Sequence, residues 1–130
     1  MVNLNGMSGI DKVKLVTKGW GLNFKIKKVE VEYKPFSLSE IKQCFTNAYR
    51  YVSRNPDATY VLGYYLMFGT IPIEHVFVKQ NGKYLDVTID SDDERDEYYS
   101  VVELSDQEMH KLAANNGTTP DLYQYARSKR

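Results

Sequence analysis

Apolar positions along this chain fall into strand-like and helix-like periods that alternate. From Phe24 to Tyr33 apolar and polar residues alternate, with Phe24 and Ile26 in one phase and Val29, Val31 and Tyr33 in the other. A strand with a bulge or register change at Lys27-Lys28 is expected, its lysines forming a solvated face or guarding an edge. Ile41, Cys44, Phe45, Ala48, Tyr49 and Val52 then recur at helical spacing, and Asn55-Pro56 stops the run. Ser37-Leu-Ser-Glu40 offers a capping box, so local propensity starts this helix at Ser37; a turn at Lys42-Gln43 would instead start it at Cys44. Thr59 to Phe68 is almost continuously apolar, the signature of a strand covered on both faces. Gly63 within it is expected to let the helix carrying Cys44 pack close to the sheet.

Two β-rich runs follow, 75–80 and 83–88, joined across Asn81-Gly82, the pair that most favours a two-residue type I′ turn. With those residues in the turn, Gln80 pairs with Lys83, Phe77 lies opposite Asp86, and His75 lies opposite Thr88. His75, Phe77, Tyr84, Asp86 and Thr88 then share one face, which makes His75 and Asp86 diagonal neighbours. Tyr98 to Leu104 reads as a further strand. Ser105-Asp-Gln-Glu108 caps a helix that runs to about Asn115 and stops at Gly117, and Thr119-Pro120 opens a last helix ending in Arg127, Lys129 and Arg130. At the other end, 1–9 reads as loosely held, 10–16 as a short helix or strand, and Gly19-Trp20-Gly21 as a flexible turn. The sum is an α+β fold, a central antiparallel β-sheet with packed helices, in a single domain over 1–130.

Composition narrows the function classes. Seventeen acidic and seventeen basic residues leave no net charge, which argues against a nucleic-acid binder. No apolar run reaches the length of a membrane span, and the start lacks the pattern of a signal peptide. The single cysteine cannot form an internal disulfide, so the chain reads as cytoplasmic and reduced, a setting in which a lone thiol stays reactive. Most of the eleven tyrosines are expected to be half-buried packing. The acidic run 90–97 mimics a calcium loop, but its Gly and terminal Glu are out of place; it reads as a solvated loop, and no metal or cofactor is expected. His110 reads as an exposed helical histidine.

The candidate chemistry lies in Cys44, His75 and Asp86. A thiol needs a base to become a nucleophilic thiolate near neutral pH, and the base needs a third group to aim its ring. Cys44-Phe-Thr-Asn-Ala48, Tyr60-Val-Leu-Gly63, His75-Val-Phe-Val and Gly82-Lys-Tyr-Leu-Asp86-Val-Thr88 together resemble the core of the transglutaminase-like branch of the papain-like cysteine enzymes. They are also similar to small phage and bacterial proteins that keep this reduced core. The pattern departs from the family at Val76-Phe77, where Ala-Trp is usual, and at Val87, where Pro is usual.

The resemblance covers about the middle third of the chain. It implies a nucleophilic Cys44 at the start of its helix, with His75 as base and Asp86 as orienter. For the oxyanion the Cys44 backbone N–H is the default donor, with Gln43 as a second donor or, as the resemblance implies, the Trp20 indole. The expected function is cysteine-dependent acyl transfer on a protein or peptide substrate, whether as protease, deamidase or transglutaminase-like enzyme. The alternative is a non-catalytic phage or bacterial interaction protein that binds and modulates a host protein.

Overall fold

The computed structural model describes residues 6–129. In chain order the elements are α1 (Gly9–Thr17), β1 (Lys27–Val29), β2 (Val31–Tyr33), α2 (Cys44–Arg54), β3 (Thr59–Leu66), β4 (Pro72–Gln80), β5 (Lys83–Asp86), β6 (Glu97–Leu104), α3 (Asp106–Asn116) and α4 (Leu122–Ser128). Six strands form one sheet in the order β1-β6-β3-β4-β5-β2. Four of its ladders are antiparallel, but β2 runs parallel to β5, so the sheet is mixed rather than antiparallel throughout.

The parallel pair follows from how the sheet closes. β1 and β2 stand at opposite ends of the strand order, yet only Glu30 separates them along the chain. One extended segment therefore pairs with β6 on one side and then with β5 on the other, and the sheet curls until its two rims meet. The break in the 24–33 alternation lies at Glu30 and not at Lys27-Lys28, and Phe24 and Ile26 precede the strand and pack on the helical side.

Curling gives the sheet an inside and an outside. Strand alternation sends Tyr60, Leu62, Tyr64, Leu66, Val76 and Val78 outward, where they meet Val13 of α1, Ala48 and Val52 of α2, Met109 and Leu112 of α3, and Leu122 of α4. Val61, Tyr65, Phe77 and Tyr98 turn inward and pack with Val29, Val31, Tyr84 and Ile89. The buried Asp86 and His75 lie on this inner side, among aromatic rings.

Several local expectations are corrected. The segment 10–16 lies in a helix, because Ser8 accepts from the Asp11 N–H and caps it at Gly9, while residues 1–5 lie outside the described part. The last helix is capped by Asp121, whose carboxylate accepts from Gln124 N–H at 2.8 Å, and not by Thr119; the Tyr60 hydroxyl donates to the Pro120 carbonyl at 2.6 Å and holds that residue outside the helix. The acidic run is not wholly solvated: Asp96 accepts from the Phe68 N–H at 2.7 Å and the Tyr65 hydroxyl at 2.8 Å. Those bonds hold Phe68 in a left-handed conformation, φ 58°.

Gly63 does not serve α2. It pairs with His75 on β4 and with Ser100 on β6, where the β3–β6 register shifts. A Cβ there would stand 2.0 Å from the Tyr99 carbonyl oxygen and 3.0 Å from the Phe77 ring, so glycine is required by the bulge and the inner core. Gly63→Ala is expected to destabilise the fold by about 2 to 3 kcal/mol or more, since backbone must move to admit the methyl. Chemical denaturation of the variant against the parent checks this, and a change below about 1 kcal/mol would refute the close approach.

Candidate active site

The hairpin that carries the histidine and the aspartate forms in the expected register. Asn81 (φ 54°) and Gly82 (φ 77°) both take the left-handed conformation that a type I′ turn demands, and Gln80 pairs with Lys83, Lys79 with Tyr84, and Val78 with Leu85. The ladder then ends. Asp86 turns its carboxylate back on its own chain, and Oδ1 accepts from the N–H groups of Thr88 at 2.8 Å and Ile89 at 3.0 Å. This tight turn pulls the chain away from β4, so the expected pairs Phe77–Asp86 and His75–Thr88 do not form.

The parting of β5 from β4 opens a seam, and α2 begins there. In an antiparallel ladder, alternate residues direct both backbone groups to one side. Val78 pairs with Leu85, so Val76 also faces the β5 side, where its expected partner Val87 has moved away. Its N–H lies toward the Cys44 thiol instead and helps to lower that thiol's pKa. The Val87 carbonyl accepts from the Ser39 hydroxyl.

The start of α2 at Cys44 is fixed by Asn47. This side chain is fully buried on the first turn of the helix, where its Oδ1 accepts from the Glu40 N–H at 2.8 Å. Its Nδ2 donates to the Glu40 carbonyl at 2.8 Å and to Thr88 Oγ1 at 2.9 Å. With both Glu40 backbone groups bound to a side chain seven residues on, the Ser37–Glu40 capping box cannot operate and 37–43 folds as turns. The chain reverses through Lys42 in a left-handed conformation, φ 62°, which costs a non-glycine residue about 1 kcal/mol or more. The helix then starts at Cys44 with no acidic residue in its first turn, so the positive end of its dipole faces the thiol uncompensated.

His75 lies between the two other residues. Its Nε2 stands 2.7 Å from Asp86 Oδ2, so Nδ1 is the ring nitrogen that Asp86 does not engage. His75 is 4% exposed and Asp86 1%, while Cys44 is half-buried and reachable from solvent. The same Oδ2 accepts from the Tyr98 hydroxyl at 2.7 Å, so the carboxylate takes four hydrogen bonds, enough to keep a buried charge ionised.

Burial opposes charge on all three groups, and their neighbours overcome it. Burial lowers the His75 pKa, but the hydrogen bond to Asp86, assisted by Cys44, lifts it to about 9. Burial raises the Cys44 thiol, but the hydrogen bond and charge of His75 and the Val76 N–H bring it below its ordinary 9.0. Asp86 is likewise raised by burial and brought net below its ordinary 3.8 by His75, the Ile89 N–H and Tyr98. The two shifts run in the directions that favour a thiolate–imidazolium pair over what the isolated side chains would give.

Of the two suggested oxyanion donors, Gln43 is the exposed residue just before the helix, and its N–H bonds to the Glu40 carbonyl at 3.3 Å, which leaves its side-chain amide free to turn. The Trp20 indole lies beside the Tyr64 hydroxyl, whose pKa it lowers, and its ring leans on Tyr123 at 6.2 Å. No hydrogen bond joins it to Cys44 among the described residues. His110 is exposed on α3, its Nδ1 bonded to the Asp106 carbonyl at 2.9 Å and its Nε2 3.1 Å from Ser53 Oγ. Among the described residues no group of three or more His, Cys, Asp or Glu gathers as metal ligands would, and no helix is long and apolar enough to cross a membrane.

The residues missed by sequence reasoning are Asn47, Tyr98, Ser39 and the Val76 amide. Asn47 left a signal, an amide three positions after Cys44 on the apolar stripe of α2. No family model, curated protein or solved structure matches this chain.

Two outcomes follow from this geometry. Asn47→Ala leaves Glu40 without its side-chain partners and is expected to cost about 2 to 4 kcal/mol in a denaturation experiment; a loss under about 1 kcal/mol would mean the loop is held otherwise. The pH dependence separates the charged pair. His75, raised, adds stability that is complete below pH 6.5 and is lost as pH rises through about 9. Cys44, depressed, adds stability that is complete above pH 9.0 and is lost as pH falls through its lowered value. Just below pH 9 the two slopes oppose, so the parent is expected to lose less stability with rising pH there than a variant without the thiol. Cys44→Ser keeps only the histidine contribution and is expected to lose stability as pH rises across that window. Parallel melting curves for the two proteins would count against the ion pair.

Proposed function

We propose that this chain is a cysteine-dependent acyl-transfer enzyme built on a papain-like or transglutaminase-like core, acting on a protein or peptide substrate through Cys44, His75 and Asp86. One observation carries the reading: a buried imidazole, bonded at 2.7 Å to a fully satisfied carboxylate, lies near enough to the partly exposed Cys44 at the first residue of a helix to lower its thiol's pKa. A core cysteine would have neither the charge partner nor the open side. The resemblance to the transglutaminase-like branch agrees with this arrangement.

In the proposed reaction the thiolate Sγ attacks the substrate's acyl carbon, and the carbonyl π electrons move onto oxygen. The resulting oxyanion faces the Cys44 backbone N–H at the positive end of α2, with the Gln43 side-chain amide as second donor. As the oxyanion collapses, the bond to the leaving nitrogen breaks and the imidazolium gives that nitrogen its proton, leaving an acyl thioester and neutral His75. Water or an amine then attacks the thioester while His75 takes its proton, and Sγ leaves as thiolate beside the restored imidazolium. Asp86 stays ionised throughout and holds the ring. With water as acceptor this is proteolysis or deamidation; with an amine it is cross-linking or acylation.

A second reading is favoured by one surface feature. Met67, Phe68, Ile71 and Ile73 are all exposed around the β3–β4 connection, and Arg95 lies 4.5 Å over the Phe68 ring. Such a patch fits a protein partner, as a phage or bacterial factor that modulates a host protein would need.

Alkylation separates the two. Cys44 is expected to react with iodoacetamide at pH 6 at least tenfold faster than a free thiol such as glutathione, because an ordinary thiol is almost wholly protonated there. His75→Ala is expected to abolish that advantage while retaining a cooperative melt. A parent protein that labels no faster than glutathione at pH 6 would refute acyl transfer and leave the interaction reading.

A further inference from the structure

Asp86 lies on the inner face of the curled sheet, and one of its four donors comes from a strand outside the hairpin. Tyr98, on β6, reaches across and gives its hydroxyl to Oδ2 at 2.7 Å, the oxygen that also accepts His75 Nε2 at 2.7 Å. We infer that Tyr98 is a positioning residue of this site, whose hydroxyl fixes the Asp86 carboxylate in line with the His75 ring and tempers the carboxylate's hold on the imidazole. The inference rests on the acyl-transfer reading above.

The physical argument concerns a shared acceptor. A carboxylate oxygen that receives two donors divides its charge between them, so each is held less firmly than it would be alone. Tyr98 can only donate here, because burial and the adjacent carboxylate keep its phenol protonated. The groups facing His75 are few. Cys44 comes from α2 and Asp86 from β5, while the rings of Tyr65, Tyr98 and Phe77 lie at 5.8, 6.0 and 6.2 Å. The Tyr65 hydroxyl turns away to Asp96 at 2.8 Å, so Tyr98 supplies the phenol that Asp86 feels directly. Among the described residues no lysine or arginine pairs with Asp86.

The consequence is kinetic as well as geometric. The imidazolium must keep its proton while the thiol is ionised, yet surrender it to the leaving nitrogen. An undiluted Asp86 would favour the first task at the expense of the second. By drawing part of the Oδ2 charge, Tyr98 brings the ring closer to a pKa at which it serves both.

Tyr98→Phe deletes the hydroxyl and keeps the ring, which packs on Tyr65 at 5.1 Å and Phe77 at 5.4 Å. The experiment is an NMR titration of the two imidazoles in 15N-labelled protein, with His110 as internal reference, beside the iodoacetamide rate at pH 6. In Tyr98→Phe the His75 midpoint is expected to rise by about half a unit, a threefold gain in proton affinity, with His110 unmoved and labelling still fast. Tyr65→Phe, which removes a hydroxyl that does not touch Asp86, is expected to leave the His75 midpoint in place. An unmoved or lowered midpoint in Tyr98→Phe, with the parent labelling fast, would overturn the role of Tyr98 alone. An equal rise in Tyr65→Phe would do the same by assigning the effect to loosened packing. A parent whose thiol labels slowly at pH 6 would overturn the acyl-transfer reading and this inference with it.

Discussion

The Asp86 carboxylate is the constraint on which the rest of the site depends. A bare carboxylate cannot be sunk into an aromatic core, because the loss of hydration far exceeds the worth of any single hydrogen bond. Here two backbone N–H groups, one imidazole and one phenol converge on it. Two of those bonds close a turn that ends β5, and the ending of β5 parts it from β4. The parting frees the Val76 amide and leaves room for the reversal that starts α2. One buried charge thereby links a strand end, a helix start and the aim of a histidine ring.

A second polar residue carries the opposite wall. Asn47 is as deeply buried as any side chain in the sheet, and its amide replaces the backbone partners that Glu40 would have found in a longer helix. Its third bond, to Thr88, reaches the turn that Asp86 closes. The thiol and the imidazole therefore arrive from elements that are separately rigid and joined through Thr88. Lys42 bears the backbone strain of that junction, two residues before the cysteine. Such a conformation persists only because the fully satisfied buried amides around it over-determine it.

Much of this was legible where a local rule has one solution. Asn81-Gly82 admits one hairpin register, and that register set His75 and Asp86 on one face. The Ser105 box and Gly117 bounded α3, and β3 and β6 were visible as apolar runs. Legibility failed where a long-range bond overrode a local preference. The Ser37 box is a sound cap in isolation, and it lost to an asparagine seven residues beyond its glutamate. Thr119-Pro120 lost its cap to a tyrosine hydroxyl from β3. Gly63 announced a close approach but not its partner, which lies on a strand far along the sequence. The parallel pairing of β2 with β5 had no local signal, since it exists only once the sheet has curled.

The single residue between β1 and β2 also bears on how the molecule behaves among copies of itself. An open six-stranded sheet ends in two rims of unpaired amides and carbonyls, each a template for a foreign strand. In this chain both rims belong to one segment, each strand of it is three residues long, and Lys27, Lys28, Glu30 and Glu32 stud it with charge of both signs. The two outermost strands are therefore short and charged, which disfavours strand-by-strand growth into fibrils at the rims.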